Sequence, residues 1–144
     1  MIGALFRGKR KDNGAWEKGF HVMYSTSIAY PYSYTNGKHY IQTVPHNIKY
    51  EVEPETVCQC INVADKNGNM IFRGDIVKRW VYGKYIIGEV VWFDIGFCGF
   101  YLKCGNSFYP IGKDEEIGLS GCDEITGNIF DNPELLSLEG KEGN

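Results

Sequence analysis

The sequence predicts a mainly β protein, with small barrel- or sandwich-like sheets in two lobes and a short C-terminal helix. Three observations point there. Aromatic residues make up 15% of the chain and glycine contributes 18 residues, a composition that suits pleated, half-buried surfaces joined by tight turns. Turn signals recur at intervals of about 8–12 residues, the spacing of short strands. Between the turns, apolar residues alternate with the period of two that a strand requires. At 144 residues the chain can bury a core without disulfides or a metal.

The first lobe is expected over residues 1–54. Asp12–Asn13–Gly14 is a turn signal. After it, Trp16, Lys18, Phe20, Val22 and Tyr24 share one mostly apolar face of a strand, and Glu17, Gly19, His21 and Met23 share the other. Asn36–Gly37 supplies the positive φ angles of a two-residue hairpin between residues 30–34 and 39–44. Pro31 places the first of those strands at an edge or delays its start. Val44–Pro45 closes the section, and Pro54 marks the division between lobes.

The second lobe is expected over residues 55–138, with 139–144 as a tail. Residues 57–61 form a strand, Asp65–Lys66–Asn67–Gly68 a turn with Gly68 left-handed, and Arg73–Gly74–Asp75 a second tight point. A strand opens at Ile76–Val77, turns at Tyr82–Gly83–Lys84 and returns from Tyr85 to Phe93. That return is apolar on both faces, which predicts cover on both sides. Trp92, sharing a face with Ile86 and Val90, and Phe100, sharing one with Cys98 and Leu102, are expected in the core. Further strands are read at 97–103, 107–110 and 122–130, with 112–121 as loop. Asp131 or Asn132 then caps the helix, with Pro133 at its first position, Glu134 near its positive end, and Leu135, Leu136 and Leu138 on its packing face.

No catalytic constellation is visible. Cys58, Cys60, Cys98, Cys104 and Cys122 are odd in number and lack zinc-knuckle spacing. Reduced thiols without metal, and a cytoplasmic home in whatever cell makes the protein, are expected. No apolar run approaches the ~20 residues of a membrane helix, and the N-terminus does not read as a signal peptide. His21, His39 and His46 show no metal spacing, and structural roles are expected for the first two. Asp114–Glu115–Glu116 and Asp123–Glu124 read as solvated acids. There is no phosphate-cradling glycine loop and no nucleophile elbow. The chain is therefore expected to be no enzyme and to carry no cofactor.

The sharpest cluster is aromatic. Trp80, Tyr82, Tyr85, Trp92, Phe97, Phe100 and Tyr101 lie among Lys78, Arg79, Lys84 and Lys103. Read as a surface, Lys78, Arg79, Trp80, Tyr82, Lys84 and Lys103 make a stacking platform for single-stranded nucleic acid; read as strands, the aromatics are core. Charge opposes the first reading. The net charge is −3; Arg7, Lys9, Arg10 and Lys11 put +4 in the first eleven residues and leave −7 for the rest. Little affinity for random DNA is expected at physiological salt.

Three blocks resemble the YopX family. One runs Pro54–Glu55–Thr56–Val57, Gln59, Asp65–Lys66–Asn67–Gly68 and Ile71–Phe72–Arg73–Gly74–Asp75–Ile76–Val77. The second is Ile125–Thr126–Gly127–Asn128–Ile129–Phe130–Asp131–Asn132–Pro133–Glu134–Leu135–Leu136, and the third is Leu5–Phe6–Arg7–Gly8–Lys9–Arg10 with Asp12–Asn13–Gly14 and Trp16. The chain departs from the family at Cys60–Ile61–Asn62–Val63, where members often read aromatic-Thr-Gly-Leu. The resemblance implies a small, mainly β protein of a bacteriophage, prophage or related mobile element, and supplies no reaction. A protein-interaction or regulatory module with a protein partner is favoured over a nucleic-acid-binding accessory protein. No membrane partner is expected, and self-association stays open.

Overall fold

The computed structural model describes residues 5–24, 37–81, 83–95, 97–111 and 123–138. The strand read at 30–34, the loop at 112–121 and the tail at 139–144 lie outside them. Among the described residues, eleven strands form two antiparallel sheets: β1 (Phe6–Lys9), β2 (Trp16–Tyr24), β3 (Lys38–Thr43), β4 (Lys49–Val52), β5 (Cys58–Ala64), β6 (Met70–Phe72), β7 (Asp75–Val81), β8 (Lys84–Ile95), β9 (Phe97–Cys104), β10 (Ser107–Pro110) and β11 (Asp123–Asn128). The strand orders are β4-β3-β2-β1-β5-β6 and β10-β9-β8-β7-β11. Neither sheet closes into a barrel. The chain divides into two compact units, Met1–Cys60 and Ile61–Asn144.

In the first unit, Gly14 takes φ +74° in the turn between β1 and β2. Arg10 and Asp12 close that turn with an ion pair of 2.6 Å. β4 returns to the end of β1, where Arg10 bridges to Val52 and Glu53 N donates to Lys9 O at 2.8 Å. Thr56 fastens the exit, its hydroxyl accepting from Lys9 N at 2.9 Å and donating to Glu53 O at 2.6 Å.

The alternation expected in β2 is present, but the buried face is the opposite one. Gly19, Ile41 and Val52 are buried, whereas Phe20 is 43% exposed. The reason is backbone approach. A Cβ on Gly19 would lie 2.0 Å from Gln42 O, so glycine lets β3 close in and the interior is filled by Ile41 and Val52.

The second unit buries Ile61, Ile71, Val77, Val90 and Leu102, with Val63, Ile86, Phe100, Cys104, Tyr109 and Ile125 packed against them. Cross-strand partners share a face. Val77, Gly88 and Ile86 therefore point inward with Leu102, and Lys78, Ile87, Trp80 and Tyr85 point outward. Gly74, at φ +88°, makes the expected tight point and donates to Val90 O at 2.9 Å.

Two expectations are corrected here. Trp92 is not core: it is 53% exposed and meets Phe100 edge-on, with centroids 5.0 Å apart. It lies beyond Val90 on the inward face, past the end of the packed layer. Phe100 is half-buried against the core. The C-terminal segment is not an α-helix. Pro133–Leu138 is a 3₁₀ helix, and no α-helix occurs among the described residues. The segment is too short to repay α-helix nucleation, so it adopts the tighter turn. It packs on β8, covering the outward face near Ile87, whereas Tyr85 farther along stays exposed.

Candidate binding surfaces

The pleat separates the residues that the sequence grouped. Lys78 pairs with Ile87 and Trp80 with Tyr85, on the outward face of the second sheet. Trp80 is 46% exposed and meets Tyr85 edge-on at 4.7 Å. The Lys78 ammonium stands 4.2 Å above the Tyr85 ring, a cation–π contact. Glu124 lies opposite Lys78 and pairs with Lys66 at 3.2 Å.

Arg79 points the other way. It is 1% exposed and forks onto Asp123, Nε to Oδ1 at 2.5 Å and Nη2 to Oδ2 at 2.9 Å. Nη1 donates to Pro110 O at 3.0 Å. The side chain thus ties β7 to β11 and to the end of β10, and it is not presented to solvent. Lys84 is exposed on the Arg79 side of the sheet, opposite Val81. Lys103 is exposed on the Trp80 side, but two strands away on β9. Tyr82 lies outside the described residues. Trp92 and Phe100 are on the inward side. The six residues therefore do not form one platform.

A pocket of about 250 Å³ opens on the outward face between Glu89, Lys103, Gly105 and Leu136. It falls below the ~300–1,000 Å³ of ordinary ligand sites. Cys58 and Cys60 are buried and Cys104 is half-buried. Among the described residues, no group of three or more His, Cys, Asp or Glu is placed to hold a metal. His21 Nε2 and His39 Nδ1 sit 2.9 Å apart, their rings stacked at 5.1 Å. Burial first, and then the neighbouring His39, hold the His21 imidazole below its ordinary pKa.

The first unit presents a second face, the mostly apolar one of β2. Its outward side carries Trp16, Lys18 and Phe20 from β2. Lys9 lies opposite Trp16, Tyr40 opposite Val22, and Lys49 across β3 from Phe20. The signal was legible as lysines interleaved with aromatics along one strand face. The unit carries seven Lys and Arg against five Asp and Glu, a net of +2, and the second unit eight against thirteen, a net of −5, together the −3 of the chain.

The YopX protein family model matches residues 5–137. The chain belongs to the YopX family. No curated protein matches it. In this YopX chain the three sequence blocks do structural work. Asp65 accepts from Asn67 N at 3.0 Å, Asn69 N at 2.9 Å and Ile125 N at 3.1 Å. Burial alone would raise its carboxyl, but the donors at Ile125, Asn69 and Asn67 hold it below the ordinary carboxylate range. Asp75 accepts from Phe72 N at 2.8 Å, and Asn132 Oδ1 from Asn128 N at 3.3 Å. Asn62 has φ +62°. That is left-handed backbone, which Asn tolerates better than most side chains. No helix among the described residues is long and apolar enough to cross a membrane.

Proposed function

We propose that the chain is a phage- or prophage-encoded accessory protein of the host cytoplasm that acts by binding a protein partner, not by catalysis. The mobile-element origin follows from what YopX membership implies. The observation that carries the partner reading is the exposed Trp80–Tyr85 pair, held in edge contact and steadied by Lys78. Tyr and Trp dominate the energetics of protein interfaces, because each covers a large area with few rotatable bonds. The pair stands on a unit of net charge −5, which suits a partner presenting an apolar recess within a basic rim.

The test is capture from induced host cells with the tagged full-length chain, run beside a Trp80→Ala/Tyr85→Ala variant. A partner held by the parent and lost by the variant supports the reading. A partner held equally by both places the interface elsewhere and refutes it.

A further inference from the structure

We propose that the outward face of the first sheet binds single-stranded nucleic acid. This goes beyond the protein-partner reading and concerns the other unit. Three features carry it.

The first is the arrangement of side chains. Along β2 the outward positions read Trp16, Lys18, Phe20, two residues apart, so their side chains rise about 7 Å from one another on one side of the strand. Phe20 is exposed, flanked across the sheet by Gln42 and then Lys49. Tyr40 stands one step farther along, beside Val22. An exposed ring beside an amide, with an ammonium one strand beyond, offers a stacking surface, a hydrogen-bonding group and a phosphate contact in one row. That combination is what sheet-based single-strand binders need.

Charge is the second feature. Among the described residues of β1–β4, the outward face presents Lys9, Lys18, Lys38 and Lys49, and one carboxylate, Glu51. Glu51 is paired with Lys11 at 3.2 Å. The acids that make the whole chain negative belong mainly to the second unit. Exposed charges beyond a Debye length of about 8 Å are largely screened at physiological salt, so the local face governs attraction more than the total does.

Geometry supplies the third. Trp16 is half-buried and its ring is already covered, by the buried Arg7 guanidinium carbon at 4.7 Å and the Lys9 ammonium at 5.7 Å from its centroid, which leaves Phe20 as the exposed ring of this face. Rings and cations are thus brought together on one surface across adjacent strands, whereas the cluster around residues 78–103 is divided between the two faces of its sheet. Stacking on rings accepts any base, and a duplex keeps its base faces stacked on one another, out of reach of Phe20. The ligand class is therefore a single strand with little sequence preference.

The test is fluorescence anisotropy with the full-length chain and labelled oligothymidylate or oligouridylate of about 20 nucleotides, with a duplex of equal length as a third arm. Micromolar binding of a single strand at about 0.05 M salt is expected, falling steeply as salt rises. Tighter binding of one homopolymer identifies DNA or RNA as the source. Phe20→Ala should weaken binding about tenfold with an unchanged salt slope. Lys18→Ala and Lys49→Ala should each flatten the slope of log affinity against log salt by about 0.7. Trp80→Ala should change nothing. Phe20 is exposed, so its variant keeps the fold. Absence of single-strand binding, preference for the duplex, indifference to Phe20→Ala, or loss on Trp80→Ala would each overturn the proposal.

Discussion

Removing one member of the Arg79–Asp123 pair should cost the second unit a large part of its stability. Both side chains are about 1% exposed. Taking each charge out of water costs several kcal/mol, offset by the two parallel bonds between them and by the third bond to Pro110 O. Arg79→Met leaves the Asp123 carboxylate buried with nothing to compensate it. Breaking a buried pair in this way costs about 3–5 kcal/mol, against the ~5–15 kcal/mol that holds a domain folded. With a urea slope of about 2 kcal/mol per molar, the midpoint should fall by roughly 2 M. Tryptophan emission reports the transition, because Trp80 and Trp92 both lie in this unit. The double variant Arg79→Met/Asp123→Leu removes both charges and should recover most of the loss, since a well-packed apolar pair replaces a buried ion pair at little cost. A single variant that loses under about 1 kcal/mol, or a double variant no better than the single, would refute the argument.

Other consequences are equally open to measurement. Asn62→Gly should be tolerated within a few tenths of a kcal/mol, whereas Asn62→Val should lose about 1–2 kcal/mol because a branched side chain is forced to positive φ; urea titration ranks the three, and equal midpoints would contradict the left-handed assignment. His21 binds its proton less readily when folded than when unfolded. Its contribution should be complete above about pH 6.5 and decline as pH falls from there through the lowered folded value, and His21→Gln should flatten that decline. A midpoint unchanged from about pH 7.5 to 5.5 in the parent would rule this out. Trp92→Ala should cost about 1 kcal/mol or less, the worth of one edge contact on an exposed ring, and Phe100→Ala distinctly more; melting curves that reverse this order would put Trp92 back in the core.

Local signals were readable and distant ones were not. The turns at Asp12–Gly14, Asp65–Gly68 and Gly105–Asn106 could be placed from their residues alone, because Gly and Asn adopt backbone that others resist. The strand from Tyr85 onward followed from its period. Which face of β2 is buried could not be known, since it depends on Gly19 meeting a carbonyl of another strand. Arg79 looked like a surface cation because its partner is 44 residues away. Trp92 looked like core because alternation gives the side of a sheet but not where the packed layer stops. The segment after Asn132 begins at Pro133 as expected, yet its length selected the 3₁₀ form in place of the expected helix. The basic aromatic face of the first sheet was present in the pattern at Trp16–Phe20, but alternation alone did not say that it faces outward.

The last strand of the chain does not lie at the end of its own hairpin series. β11 sits against β7, on the far side from β10. Its arrival supplies the Ile125 N–H to Asp65, sixty residues earlier, the carboxylate for Arg79, and Ile125 for the core. During synthesis, β7 to β10 can leave the ribosome and form hairpins while Arg79 still lacks Asp123. Closing so long a loop is slow relative to local hairpins. A premature stop before Asp123 would therefore yield a fragment carrying a buried-site cation and an open sheet edge, a substrate for aggregation or proteolysis.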